Sequence, residues 1–361
     1  MPRRTATLLA STLALIALLC AGVLIPVPYA EMSPGPTVNT LGEHGGEPVL
    51  QISGHKTYDT SGHLNMTTVR VTGPDYTMNL FEALYGWLSR NDAVIPHKTL
   101  YPENQTPAQA DQENAEEFSQ SQESAKTAAL RSLHLPVASQ IVVSSVTKGK
   151  PAEGRLHAGD VITAVDGTAV KKSSDVAKLV TRHKAGEHVD FTVIPAADAE
   201  AAAKKGHKPQ GPEKTVSVGT ASAGGHAVVG IAASVGHVFP FPITIKLADV
   251  GGPSAGLMFS LGLIDKLTPE DLTGGAFVAG TGTIDDEGHV GPIGGISMKT
   301  VGARSKGAEY FLTPKENCAD AAKETPAGLR LVKVGTLDDA LKALKDIRRG
   351  DTSDLPRCTT G

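Results

Sequence analysis

The chain has 361 residues, a length that predicts two domains and an additional segment. Apolar residues make up 40% of the chain and aromatic residues only 4%, so we expect cores of alanine, valine, leucine and isoleucine. The net charge of −4 provides no electrostatic basis for binding a polyanion, and no nucleic-acid partner is predicted.

The N-terminal segment is predicted to cross a membrane once. Residues 5–27 form an uncharged run rich in leucine and alanine, which is long enough to span a bilayer. Arg3 and Arg4 precede this run, and such residues stay on the cytoplasmic side. We therefore predict a cytoplasmic stub and anchor over 1–30, in the cell membrane, with the remainder extracytoplasmic. A cleaved signal peptide is the open alternative.

Residues 31–133 are predicted to hold a linker, two strands and two helices. Proline and glycine favour an extended linker over 31–47. Strand patterns follow at 49–52 and 66–71, and a short helix is expected at 79–89. A polar helix, expected at the surface or as a stalk, begins with the capping pattern Thr106-Pro107 and runs to about 133.

Residues 134–195 show a β-rich pattern interrupted by one helix. Glycine turns surround the run Gly159-Asp160-Val161-Ile162, and Val165-Asp166-Gly167 follows as a hairpin signal. This part of the chain resembles a PDZ domain of membrane and periplasmic proteases. The resemblance implies protein or peptide partners, including C-terminal tails bound by β-augmentation. A generic small β-domain is the alternative.

The expected peptide-binding loop of this domain, residues 136–140, lacks a carboxylate-binding glycine pattern. The class of peptide is therefore not predicted. Alanine, lysine, glycine and proline dominate residues 196–215, which are interpreted as a linker.

Residues 216–348 are predicted to form the second domain, and residues 349–361 a C-terminal tail. Its expected helices cover 254–266, 298–306 and 337–348, and its expected strands cover 228–232, 243–247, 276–283, 310–312 and 329–334.

Two motifs in this domain point to nucleophilic catalysis. Ser254 lies in Gly251-Gly252-Pro253-Ser254-Ala255-Gly256, and Lys299 follows the turn Pro292-Ile293-Gly294-Gly295. A serine hydroxyl becomes a good nucleophile only when a base takes its proton. A lysine can be that base when burial lowers its pKa, and Ser-Lys pairs are a known variant of the catalytic triad.

At these residues the chain resembles the catalytic domain of Lon-type serine proteases, and residues 279–282 and 311–317 resemble further family segments in the same order. The resemblance implies that Ser254 is the nucleophile, Lys299 the general base and Thr281 the residue that orients the amine. Gly252 and Pro253 would support the nucleophile. The expected fold class is α+β: a Lon-type protease domain with a small PDZ domain and an N-terminal transmembrane helix.

The sequence departs from the better-known Lon enzymes in one respect. It contains no Gly-x-x-x-x-Gly-Lys-Ser/Thr loop, so no ATPase module is predicted. The resemblance is therefore to bacterial membrane-anchored PDZ-containing Lon-like proteases, and it implies an ATP-independent serine endopeptidase. A non-catalytic PDZ adaptor or scaffold at the membrane is the alternative. The substrate is not predicted, and homo-oligomerisation stays open.

The stretch 225–249 is short for the strand and helix that precede the nucleophile in Lon-type domains. Residues 48–133 contain both elements, so we expect the PDZ domain to be inserted into the protease domain.

No cofactor or metal is predicted, because the 12 histidines include no His-Glu-x-x-His pair. His237 and His289 are the alternative bases, and Asp249 is expected to be a loop carboxylate. Whether Cys318 and Cys358 pair depends on geometry that the sequence does not contain.

Overall fold

A computed structural model of the protein describes residues 3–89, 91–102, 106–203, 211–247 and 250–360. Its helices are α1 (Arg3–Leu24), α2 (Leu80–Leu88), α3 (His97–Leu100), α4 (Pro107–Ser132), α5 (Ser173–Val180), α6 (Ala196–Ala203), α7 (Gly256–Leu267), α8 (Ile296–Ser305), α9 (Cys318–Lys323) and α10 (Leu337–Arg349). A 3₁₀ turn at Lys315–Asn317 precedes α9.

The strands are β1 (Tyr29–Asn39), β2 (Glu43–His44), β3 (Glu47–Pro48), β4 (Leu50–Ile52), β5 (His63–Val71), β6 (Ala93–Pro96), β7 (Ala138–Val146), β8 (Val161–Val165), β9 (Thr168–Ala169), β10 (His188–Ile194), β11 (Lys214–Gly219), β12 (Ala221–Ala223), β13 (His226–Val228), β14 (Ile231–Val238), β15 (Ile243–Ile245), β16 (Phe277–Gly280), β17 (Thr283–Ile284), β18 (Val290–Gly291), β19 (Tyr310–Pro314) and β20 (Arg330–Val334).

The chain divides into two compact units, each made of separated segments. The first unit combines Met1–Leu50, Tyr58–Ala129 and Ile245–Gly361, and the second combines Gln51–Thr57 and Leu130–Thr244. The first unit is therefore discontinuous along the chain, and its segments meet in one sheet.

That sheet has the strand order β20-β19-β16-β5-β1-β6. Strand β16 is parallel to β5 on one side and to β19 on the other, whereas β1 is antiparallel to both β5 and β6. Helix α8 packs against β1 and β5, and α7 packs against β5. The sheet thus holds in one place the elements that precede and follow the second unit in the sequence.

The predicted linker over 31–47 is wrong for residues 31–39, which belong to β1 in the middle of this sheet. The prediction rested on the prolines of this segment. The register between β1 and β5 shifts between Pro34 and Thr37, and such a bulge accommodates prolines that cannot donate to a ladder. The prolines therefore mark a β-bulge within a strand rather than an extended linker.

Helix α4 is less exposed than the sequence predicted. Its C-terminal half is buried at Ala125 and Ala129, and the hydroxyl of Ser260 in α7 donates to the carbonyl of Ala125 at 3.1 Å. The ring of Phe118 contacts Phe259 of α7 edge to face. The polar first half of the helix had concealed the apolar second half in the sequence pattern.

The second unit contains an antiparallel sheet with the order β11-β10-β8-β7-β14, with β9 beside β8. Its core is formed by fully buried side chains that include Val143, Val165, Val189, Phe191 and Val218. This core is mostly aliphatic, as the aromatic content of only 4% predicted.

Two predicted boundaries fail in this unit. Residues 196–203 form α6 rather than a linker, and β11 already begins at Lys214. Strands β11 and β14 pair with β10 and β7, so residues 216–244 lie in the second unit and not with the Ser254 motif. The β7–β14 pair joins residues about ninety positions apart, and local patterns carry no information on such pairing.

The segment predicted as a C-terminal tail is attached to the first unit. Leu355 is buried, the N–H of Lys333 donates to the carbonyl of Pro356, and Cys358 forms a disulfide with Cys318 across a Cα–Cα distance of 4.9 Å. The pairing that the sequence left open is therefore present.

Helix α1 is apolar and long enough over Arg4–Leu24 to cross a membrane. A helix of this kind near an N-terminus is compatible with either a membrane span or a signal sequence.

Candidate active site

Ser254 lies at the entrance to α7, where its backbone is hydrogen-bonded to Thr281 and Gly282, between β16 and β17. The carbonyl of Ser254 accepts a hydrogen bond from the Thr281 hydroxyl at 3.0 Å and another from the N–H of Gly282 at 2.9 Å. Ser254 is half-buried, and the following residues of α7 are almost entirely buried. The serine therefore sits on a rigid support and remains accessible from one side.

The turn before Ser254 is held by α4. The N–H of Gly252 donates to the carbonyl of Asn114 at 3.1 Å, and the hydroxyl of Ser121 donates to the carbonyl of Pro253 at 2.9 Å. Gly252 and Pro253, predicted as supporting residues, are thus the points where α4 grips the turn. The sequence pointed to neither Asn114 nor Ser121, because nothing in a polar helix marks the residues that face a distant loop.

Lys299 lies in the first turn of α8, which begins after Gly295. Gly295 has a φ of +68°, and a Cβ at this position would lie 2.7 Å from Val69 Cγ2. Only glycine combines this left-handed backbone with such close packing on β5. The Gly-Gly turn therefore sets the direction in which α8 leaves the loop, and with it the position of Lys299.

Asn317 fixes the same loop from the other side. Its side-chain Nδ2 donates to the carbonyl of Ile293 at 2.9 Å, and its Oδ1 accepts from the N–H of Ile293 at 2.9 Å. Asn317 belongs to the segment 311–317 that carries part of the family resemblance, but the sequence assigned it no role. The structure identifies it as a clamp on the turn before Lys299.

The side chains of Lys299, Ser254 and Thr281 meet in one cluster. Lys299 Nζ is 2.7 Å from Ser254 Oγ and 3.0 Å from Thr281 Oγ1. The lysine is only 3% exposed, and this burial lowers its pKa from 10.5 to about 7. Burial disfavours the ammonium form of an amine, so Lys299 loses its proton far more readily than an exposed lysine.

The hydrogen bonds of Thr281 determine which way the amine points. Because the Thr281 hydroxyl donates its proton to the Ser254 carbonyl, its oxygen can only accept from Lys299. One N–H of the amine is therefore committed to Thr281, and the lone pair of the neutral amine is free to face Ser254 Oγ. This arrangement fits a base that removes the serine proton.

The two alternative bases lie in different settings. His289 is exposed and pairs through Nδ1 with Asp285 Oδ2 at 2.8 Å, and the hydrogen bond to Asp285 raises its pKa. His237 lies on β14 in the second unit. Asp249 lies outside the described residues. No group of three His, Cys, Asp or Glu suited to a metal occurs among the residues that the structure describes.

A cavity of about 580 Å³ opens in the second unit between α5 and β14. Val176 and Val180 of α5 line one side, and Gly230 and Ile231 line the other. Strand β14 is the last in the order of the sheet. Residues 138–140, within the segment expected as a loop at 136–140, are already part of β7, and Gly230 directly precedes β14.

Comparison with known proteins identifies two domains. Residues 115–202 match the PDZ domain family, and residues 248–345 match the Lon protease (S16) C-terminal proteolytic domain. The second match contains Ser254, Thr281 and Lys299.

The curated relatives are Lon proteases. That of Phenylobacterium zucineum is 41% identical over 103 residues, which cover 28% of this chain and 13% of the relative. Lon protease 1 of Sorangium cellulosum is 35% identical over 111 residues, covering 29% and 13%. This chain thus spans about an eighth of their length.

Among solved structures, the PDZ domain of the SdrC-like protein from Listeria innocua is 29% identical, with coverage of 26% of this chain and 90% of that one and a TM-score of 0.20. The two family matches, together with the Lon relatives, show that the chain contains a PDZ domain and a Lon-type proteolytic domain of the serine peptidase type.

Proposed function

We propose that this protein is an ATP-independent, membrane-tethered serine endopeptidase that hydrolyses extracytoplasmic proteins with a Ser254–Lys299 dyad. The observation that carries the proposal is the 2.7 Å contact between Lys299 Nζ and Ser254 Oγ, in a site where burial lowers the lysine pKa to about 7. A neutral amine at this distance is placed to accept the serine proton.

The reaction follows from these groups. Ser254 Oγ attacks the peptide carbonyl while Lys299 accepts its proton, and backbone N–H groups at the start of α7 stabilise the oxyanion. The Lys299 ammonium then donates its proton to the leaving amine, which departs as the C–N bond breaks. A water molecule, deprotonated by the regenerated amine, attacks the acyl-enzyme, and Ser254 recovers its proton from Lys299 as the ester bond breaks.

The other parts of the chain would deliver the substrate. Helix α1 tethers the protein, with its N-terminus in the cytoplasm and the catalytic unit outside. The cavity between α5 and β14 suits an extended peptide that adds a strand to the sheet, and we propose a protein or peptide tail as its ligand. The protease domain would be discontinuous, with the PDZ domain between its segments in the sequence.

A non-catalytic adaptor is the second candidate, and the α5–β14 cavity is the observation that favours it. Such a protein would bind the same tails and leave them intact. The two functions differ in the reactivity of Ser254.

A serine-directed fluorophosphonate probe tests this difference on the purified full chain. We expect labelling of the natural protein and of Ser297→Ala, a matched control at a half-buried serine of α8, and loss of labelling in Ser254→Ala. Peptide hydrolysis should follow the same pattern. Equal labelling and turnover in a folded Ser254→Ala protein would reject the dyad, whereas a folded natural protein that shows neither labelling nor turnover would leave the adaptor.

A further inference from the structure

Helix α2 presents an apolar surface that no described element covers. Five large hydrophobic side chains along this helix are exposed: Leu80, Leu84, Tyr85, Trp87 and Leu88. Tyr85 and Trp87 are each about three quarters exposed. Exposed single apolar residues are common, but a group of this kind on one short helix marks an interaction surface.

The single charged residue of α2 is used within the helix itself. The carboxylate of Glu82 accepts the backbone N–H of Asn79 at 2.9 Å and the hydroxyl of Tyr76 at 2.8 Å, and the Asn79 side chain accepts the N–H of Glu82 in return. This capping box stabilises the start of the helix. It leaves the exposed face without a charge that would favour water.

Helix α2 is attached to the C-terminal end of α1. The N–H of Leu80 donates to the carbonyl of Ile25, and the N–H of Val27 donates to the carbonyl of Met78. A Cβ on Gly22 would lie 2.3 Å from the ring of Phe81, so the absent side chain of Gly22 is what lets Phe81 pack on α1. The apolar face of α2 therefore begins where the candidate membrane span ends.

From this continuity we infer that α2 lies in the interfacial layer of the bilayer and is a second membrane contact beside α1. Tryptophan and tyrosine favour the headgroup level, where the ring is partly apolar and the polar atom stays hydrated. Leu84 and Leu88 would enter the acyl region, to the depth of about 5–10 Å that interfacial helices reach. The inference rests on the proposed membrane span of α1.

The bilayer fits this surface better than a second protein copy. The exposed leucines of α1, such as Leu18 and Leu24, would face lipid in a span, and α2 is hydrogen-bonded to the chain directly after that helix. A lipid-embedded α2 would restrict the rotation of the first unit on the membrane, which one flexible tether would not do.

Trp87 is the sole tryptophan of the chain and reports directly on this placement. The full chain is reconstituted into phosphatidylcholine–phosphatidylglycerol vesicles. The acyl chains of the lipid are unbrominated, brominated near the headgroup, or brominated near the bilayer centre. We expect a blue-shifted emission that loses most of its intensity with shallow bromine and less with deep bromine. Flotation of the vesicles shows separately whether the protein is embedded.

The variant Leu84→Glu/Leu88→Glu should still float and still react with the Ser254 probe, but Trp87 should escape bromine quenching. Val235→Glu changes an exposed apolar residue of β14 and should leave the quenching unchanged. Probe labelling and circular dichroism report on folding in each case.

Two outcomes overturn the inference. A floating protein whose Trp87 is unquenched by any bromine position is anchored without α2, and if its emission then shifts with the protein-to-lipid ratio, a second copy covers the helix. A protein that does not float rejects the span and the inference together. Labelling of Ser254 is read independently, so the catalytic proposal stands or falls on its own result.

Discussion

The first turn of α8 and the hairpin β17–β18 each carry a side chain that could act as a base, and the surroundings of the two side chains differ. Lys299 is buried, no ion pair joins it to a carboxylate among the described residues, and burial brings its pKa down to about 7. His289 is exposed to solvent and pairs with Asp285, which raises its pKa. The pKa of lysine, ordinarily the stronger base, is therefore lowered toward 7, whereas the pKa of the histidine is raised.

The difference shows that residue type alone does not indicate a general base. Histidine is the residue whose ordinary pKa suits this role, yet His289 is engaged in a surface ion pair. Lysine is ordinarily charged and solvated, yet Lys299 has the environment of a catalytic amine. The four predictions below test this contrast.

The largest effect is expected from the removal of the amine. Lys299→Ala should lower peptide hydrolysis by about 10³-fold or more, because nucleophile and base act as one unit. Lys299→Arg should fail to a similar extent, since a guanidinium stays protonated. Turnover is compared with that of His289→Gln, which should remain near the natural level. Near-normal turnover in a folded Lys299→Ala protein, with loss in His289→Gln, would reverse the assignment.

The pH profile should give the next largest effect. Only the neutral amine of Lys299 is a base, so kcat/KM should rise about tenfold per pH unit below pH 7 and level off above it. His289→Gln should show the same profile. A rate that keeps rising toward the ordinary lysine pKa would mean that burial does not lower the Lys299 pKa in solution.

The stability of the fold should also depend on this lysine. The amine binds a proton in the unfolded chain up to pH 10.5 but in the folded chain only up to about 7, so the folded state gains stability as the pH rises through this window. Lys299→Met lacks the titration. It should be more stable than the natural protein at pH 7, and this difference should shrink by about 2 kcal/mol between pH 7 and pH 9.

Urea denaturation at the two pH values measures that difference, and titrations shared by both proteins cancel in it. A difference that is independent of pH would show that Lys299 keeps its proton in the folded state.

The smallest effect concerns the positioning of the amine. Thr281→Val removes one hydrogen bond to Lys299 and one to the Ser254 carbonyl, and it should lower kcat about tenfold with little change in KM. Thr283→Val, on β17 in the same segment, is the control and should retain activity. If Thr281 has only a structural role, thermal stability should fall while kcat and its pH profile stay unchanged.

The sequence by itself determined the chemistry of the candidate site. Ser254, Lys299 and Thr281 were chosen from short motifs whose order along the chain matches that of the Lon-type catalytic domain. Helix α2 was likewise predicted from the spacing of Leu80, Leu84 and Leu88, since this signal lies within one stretch of chain. Short motifs and residue spacings can be recognised from the sequence without knowledge of the tertiary structure.

Only the tertiary structure decided what surrounds these residues. The grip of Asn114 and Ser121 on the turn before Ser254 and the clamp of Asn317 on Ile293 join residues far apart in sequence. The same holds for β1, whose prolines concealed a central strand, and for β14, which pairs with β7. Burial, which brings the pKa of Lys299 to about 7, arises from the packing of α8 on the sheet, and packing is a property that no local pattern contains.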